Sequence, residues 1–79
     1  MGAQVVVMPP LGEDVTEGKI LTWLKQKGDR VREGEPLLEV ATDKVDVEIP
    51  SPLTGKIDAL HYREGDAVQI GGVIATITW

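Results

Sequence analysis

The chain states one pattern twice, and that repetition limits its fold more than any single motif. Gly18-Lys19-Ile20 recurs as Gly55-Lys56-Ile57, Gly28-Asp29 as Gly65-Asp66, Val31 as Val68 and Gly34 as Gly71, all at an offset of 37 residues. At the same spacing Trp23 falls on Leu60, Leu37 on Ile74 and Val40 on Ile77. Nearer the N-terminus an offset of 41 matches Val6 with Val47, Met8 with Ile49 and Pro9 with Pro50. Two copies are too few, and the period too long, for a stacked solenoid. Two halves with one layout predict an all-β fold instead. It would be a flattened barrel or sandwich of two four-stranded antiparallel sheets with pseudo-two-fold internal symmetry.

Within each half, short β-branched runs are punctuated by Gly, Pro and Asp, the signature of strands and tight turns. Strands are expected near Gln4–Met8, Lys19–Leu24, Arg30–Val31, Leu37–Thr42, Val45–Ile49, Lys56–Tyr62, Ala67–Val68 and Val73–Thr78. The best helix candidate, Lys19–Lys27, is bracketed too tightly by Gly18 and Gly28, and its repeat mate reads as a strand. Gly28-Asp29, Gly65-Asp66, Gly34 and Gly71-Gly72 are turn dipeptides and turn glycines without the spacing of a phosphate-binding loop.

One hairpin register follows from alternation. With Asp43-Lys44 as a two-residue loop, Thr42 faces Val45, Ala41 faces Asp46, Val40 faces Val47, Glu39 faces Glu48 and Leu38 faces Ile49. Leu38, Val40, Val45, Val47 and Ile49 then share one face and the acids take the other; a slip of one residue would turn a strand inside out. Asp-Lys is not the Asn-Gly or Asp-Gly pair that two-residue hairpins favour, so the turn should be held by its surroundings. The pseudo-two-fold puts this tip opposite the chain termini. The change of offset from 41 to 37 marks four extra residues within Pro10–Glu17, a loop carrying Glu13, Asp14 and Glu17 that should sit beside Lys44.

At 79 residues the chain makes a single domain, 1–79, burying roughly 60–65% of its unfolded surface. It has no cysteine, which fits a reducing compartment and removes thiolate nucleophiles, disulfides and Cys-based metal sites. Any sulfur redox chemistry must be carried by something attached. The formal net charge of −5 argues against a nucleic-acid partner, and no apolar run reaches the length of a membrane span. His61 is the only histidine and lacks a nucleophile and an orienting partner, so the chain does not read as an enzyme by itself. Calcium ligation by Glu13, Asp14 and Glu17 has no EF-hand spacing. Trp79 ends the chain inside a strand-like run, which predicts a domain cut from a longer protein.

Taken together, Met8-Pro9-Pro10-Leu11-Gly12-Glu13-Asp14-Val15-Thr16-Glu17-Gly18, then Trp23-Leu24 with Gly28-Asp29-Arg30-Val31, then Thr42-Asp43-Lys44-Val45 with Glu48-Ile49-Pro50-Ser51-Pro52, and finally Gly55 and Gly65-Asp66, span nearly the whole chain. In these motifs the sequence resembles the lipoyl domains of the dihydrolipoyl acyltransferase component of 2-oxo-acid dehydrogenase complexes. The resemblance implies lipoate in amide linkage to Lys44, flanked by Asp43 and Val45. It also implies a swinging-arm carrier and its partners: a lipoate-protein ligase or lipoyl transferase, a thiamine-dependent 2-oxo-acid decarboxylase, an acyltransferase core and dihydrolipoyl dehydrogenase. A location in the bacterial cytoplasm or the mitochondrial matrix goes with these, as does a monomeric state for the isolated domain. Partner recognition is expected at Glu13, Asp14, Glu17, Asp46 and Glu48, around the predicted tip. A biotin carrier domain is the alternative; such carriers usually flank the lysine with Met, where this chain has Asp43 and Val45. An unmodified interaction module is the third reading. Pyruvate, 2-oxoglutarate and branched-chain oxo acids all remain compatible.

Overall fold

The computed structural model describes residues 1–79. Eight strands follow in order: β1 (Ala3–Val7), β2 (Glu17–Trp23), β3 (Arg30–Val31), β4 (Pro36–Ala41), β5 (Asp46–Pro50), β6 (Gly55–Leu60), β7 (Ala67–Gln69) and β8 (Val73–Thr78). Each lies within two residues of its expected span, and Lys19–Lys27 opens as a strand. The strands form two four-stranded antiparallel sheets, ordered β1-β8-β6-β3 and β5-β4-β2-β7. Exchanging the first four strands for the last four converts one order into the other, which is the pseudo-two-fold that the repeat predicts.

Symmetry extends to single hydrogen bonds. Gly28 N–H donates to the Ile57 carbonyl at 2.8 Å, and its mate Gly65 N–H donates to Ile20 at 2.7 Å. The carboxylates of Asp29 and Asp66 accept the Gln26 and Arg63 amides, each at 2.8 Å, closing both Gly-Asp turns in the same way. β2 and β6 carry their bulges at equivalent places, between Ile20 and Thr22 and between Ile57 and Ala59. The core is built from the same pairs: Ile20 with Ile57, Val31 with Val68, Leu37 with Ile74 and Val40 with Ile77 are all buried. Each such side chain contributes roughly 1.5–3 kcal/mol when taken out of water.

Three details depart from the alternation. First, Val6 pairs with Ala75 while Ile49 pairs with Leu38, the mate of Ala75, so β1 corresponds to β5 at an offset of 43 rather than 41. The first half therefore exceeds the second by six residues, not four, still between Met8 and Gly18. Second, a register shift between Pro36 and Leu38 lets consecutive Leu37 and Leu38 both point inward, each fully buried. Third, Val45 does not join the inner face: it is 54% exposed, and Val47 is half-buried. The ladder ends at the Ala41–Asp46 pair, so Val45 lies in the exposed turn beyond the paired strands.

Candidate attachment site

β4 and β5 pair in the expected register: Leu38 with Ile49, Glu39 with Glu48, Val40 with Val47 and Ala41 with Asp46. Beyond them the Thr42 amide donates to the Val45 carbonyl at 2.9 Å, leaving Asp43 and Lys44 as the loop. Neither loop residue has a positive φ, so the turn is not one of the primed types that match strand twist. Closure comes from the Thr42 hydroxyl. Its oxygen accepts the Lys44 amide at 3.2 Å and the Val45 amide at 3.1 Å, and its proton goes to the Val45 carbonyl at 3.0 Å. The turn is thus held by a side chain of its own strand rather than by surrounding elements. Sequence reasoning missed this role; the available signal was a hydroxyl residue at the entrance of a turn, where Ser and Thr bond nearby amides. Asp43, Lys44 and Val45 are all exposed, and the Lys44 amine stands clear on the tip.

The inserted loop lies against this tip. Leu11 anchors it, half-buried on the core; a Cβ at Gly18 would come within 2.9 Å of Leu11 Cδ1, so glycine there makes room for the anchor. Gly12 and Asp14 take positive φ, 138° and 65°, and Val15 N–H closes back on the Gly12 carbonyl at 3.3 Å. The Ile70 amide donates to the Thr16 carbonyl at 3.0 Å and fixes the far side of the loop to β7. Between loop and hairpin runs an open depression of about 360 Å³, bounded by Asp14–Glu17 and Lys19 on one side and Ala41–Asp43 on the other.

Of the residues expected around the tip, Asp14, Glu17 and Asp43 line this depression, and Asp46 begins β5 just below it. Glu13 is exposed in the same loop without lining the depression. Glu48 sits opposite Glu39, two positions further down the ladder and about 7 Å more distant from the tip. No group of three or more His, Cys, Asp or Glu side chains is placed to hold a metal ion. His61 Nε2 lies 2.9 Å from Thr76 Oγ1, a strand-face contact.

The termini mark the opposite end. Gly2 and Trp79 bond to each other across β1 and β8, and a second depression there is lined by Arg30, Thr54, Gly55, Lys56, Thr78 and Trp79. No residue is common to the two depressions, and the molecule is 37 Å long and 19 Å across. A lysine on a tip of this kind can be reached by a modifying enzyme while the rest of the chain stays folded.

Comparison with known proteins agrees with that arrangement. The family model for biotin/lipoyl attachment, described as biotin-requiring enzyme, matches residues 4–77. The chain is 61% identical over 72 residues to the dihydrolipoyllysine-residue acetyltransferase component of the pyruvate dehydrogenase complex of Corynebacterium glutamicum, covering 91% of this chain and 11% of that protein. It is 47% identical over 77 residues to the lipoamide acyltransferase component of the branched-chain alpha-keto acid dehydrogenase complex of Bacillus subtilis, covering 98% and 18%. It thus spans less than a fifth of either relative. Among solved structures, the lipoyl domain of the 2-oxoglutarate dehydrogenase complex of Azotobacter vinelandii superposes with a TM-score of 0.76 at 28% identity, over 96% of this chain and 98% of that one. A segment of the urea carboxylase of Kluyveromyces lactis shares the fold at a TM-score of 0.82 and 19% identity, over 99% of this chain and 6% of that one. With the family match running almost end to end and a lipoyl domain superposing over its full length, the chain belongs to the biotin/lipoyl attachment family, as a lipoyl-type domain.

Proposed function

We propose that Lys44 carries lipoate through an amide bond from its side-chain nitrogen, and that the domain is the swinging-arm carrier of a 2-oxo-acid dehydrogenase complex. One observation carries the reading: a single exposed amine stands on a closed two-residue turn, at the end of the molecule opposite the termini. The chain has no cysteine, so a dithiol function has to come from an attached group. The chemistry supplied by bound lipoate is a dithiol–disulfide couple for reductive acylation by a thiamine-dependent decarboxylase, acyl transfer to coenzyme A at the acyltransferase core, and reoxidation by dihydrolipoyl dehydrogenase. The protein's share is reach and recognition. Tethered through its termini, the domain presents Lys44 outward and raises the effective concentration of the arm at each partner site. Recognition by the decarboxylase falls to the acidic rim of Asp14, Glu17 and Asp43, with Glu13 and Asp46 beside it. Identity to acyltransferase components supports the parent chain being an acyltransferase.

Intact mass after co-expression with a lipoate ligase, and separately with a biotin ligase, tests the reading. A lipoyl adduct in the first, none in the second, and loss of the adduct in Lys44→Arg are expected. A biotin adduct would make the domain a biotin carrier, a free amine in both would make it an unmodified interaction module, and an adduct surviving in Lys44→Arg would move the site. Reductive acylation of the lipoylated domain by pyruvate, 2-oxoglutarate and branched-chain decarboxylases in turn then identifies the oxo acid.

A further inference from the structure

The internal symmetry supplies a control for the tip within the same molecule. Under the pseudo-two-fold, Thr42 corresponds to Trp79 and Val45 to Gly2, by the offsets that relate β4 to β8 and β1 to β5. At the terminal end this pair exchanges both ladder bonds: Trp79 N–H to the Gly2 carbonyl at 3.1 Å and Gly2 N–H to the Trp79 carbonyl at 2.9 Å. At the tip only the first survives, as Thr42 N–H to the Val45 carbonyl at 2.9 Å. The Val45 amide bonds the Thr42 hydroxyl instead of the Thr42 carbonyl. Joining the strands through Asp43-Lys44, with neither residue at positive φ, has pulled the second bond off the ladder.

We propose that Thr42 is the positioning residue for Lys44: its hydroxyl replaces the lost ladder bond, pins the Lys44 amide, and so fixes the direction in which the lysine leaves the tip. The proposal rests on Lys44 being the attachment point. A hydroxyl offers one donor and two acceptor positions, and here all are used within the turn, by the Val45 carbonyl and by the Lys44 and Val45 amides. Thr42 therefore has no capacity left for binding a partner and acts only through Lys44. Its β-branched side chain suits the end of a strand as well as the entrance of a turn. A loop of Asn-Gly would close without such help, but a loop that must contain lysine cannot take that form. The hydroxyl lets an ordinary right-handed backbone carry the lysine at a two-residue tip.

The test uses the whole 79-residue domain, which forms the complete fold described above, with a lipoate ligase, ATP and lipoate. Thr42→Val keeps the shape and removes the hydroxyl; Thr42→Ser keeps the hydroxyl. Labelling by Thr42→Val should fall about tenfold in kcat/KM, mostly as a higher KM, because a smaller fraction of tips presents the lysine correctly. Thr42→Ser should stay within about twofold of the parent. Amide exchange at Lys44 and Val45 should quicken in Thr42→Val alone, while the midpoint of thermal unfolding stays close to that of the parent. Labelling of Thr42→Val at the parental rate would overturn the proposal, as would an equal loss in Thr42→Ser. Lys44→Arg, run alongside, separates this from failure of the attachment reading: a label that persists there shows that the lysine, not the threonine, is misassigned.

Discussion

The tip and the terminal end are built from equivalent positions and differ in what has been laid over them. At the terminal end Gly55 is pressed against the carbonyl of Thr78 and the Ile77 side chain, leaving no room for a Cβ. Its mate at the tip end, Gly18, is crowded only by the end of the Leu11 side chain, which belongs to the inserted loop, with Met8 and Val40 at ordinary contact distance. One end is closed packing between neighbouring strands. The other has exchanged that packing for a loop, an acidic rim and a lysine. The difference teaches where to look in a pseudo-symmetric domain: the symmetry describes the scaffold, and the departures from it coincide with the proposed attachment site.

The sharpest way to break this comparison is to add one methyl group to each glycine. Gly55→Ala should cost about 3 kcal/mol, since a backbone carbonyl cannot move aside. Gly18→Ala should cost only about 1 kcal/mol, because Leu11 can turn at its end, but it should lift the loop and slow reductive acylation. Urea denaturation gives both stabilities. Equal costs would mean that the two ends are packed alike and that the loop is not what relieves Gly18.

How much of this was legible beforehand follows from what alternation can see. The register around Asp43-Lys44 came out residue for residue, because a slip of one would have turned out either Val40 on one strand or Val47 and Ile49 on the other. The offset between β1 and β5 came out two residues short, because a slip of two keeps every side chain on its face and alternation is blind to it. Val6 matches Val47 as well as it matches Ile49 in hydrophobicity; only the pairing of Val6 with Ala75 and of Ile49 with Leu38 decides between them. Val45 was misplaced for a related reason, since a strand end suspends the period of two, and the bulge that buries Leu37 beside Leu38 is equally invisible to alternation. The acidic loop beside Lys44 was reachable by counting, whereas the role of Thr42 required knowing that neither tip residue has a positive φ.

A second prediction removes the acids from each end in turn. Glu13→Gln, Asp14→Asn and Glu17→Gln together should leave stability within about 0.5 kcal/mol, since all three are exposed and Asn tolerates the positive φ of Asp14. If the rim recognises the decarboxylase, kcat/KM for reductive acylation should fall by about tenfold at low ionic strength and by less in high salt. Neutralising Glu33, exposed beside Thr54 toward the terminal end, should leave that rate unchanged. A loss of the same size from Glu33→Gln would mean that net charge, not the position of the acids, governs the encounter.

The smallest expected effect belongs to the terminal end alone. Glu35 is held below the usual carboxylate range, first by the Arg32 amide donating to its carboxylate at 3.0 Å and then by Lys25, whose Nζ lies 3.3 Å away. Its mate under the pseudo-two-fold is Gly72, which has no carboxylate to titrate. A carboxylate with a lowered folded-state pKa stabilises the fold above its ordinary value of about 4.3, and that contribution is lost as pH falls through the lowered value. The difference in thermal midpoint between the parent and Glu35→Gln should therefore be constant from neutral pH to about 5, shrink below about 4, and vanish once Glu35 is protonated. Because the backbone amide is the larger cause, Lys25→Met should keep most of this pH dependence, and added salt should remove only the share due to Lys25. If Lys25→Met instead erased it, the ion pair rather than the turn would be what Glu35 contributes, and the terminal end would hold its β3–β4 turn by surface charge where the tip holds its own by a hydroxyl.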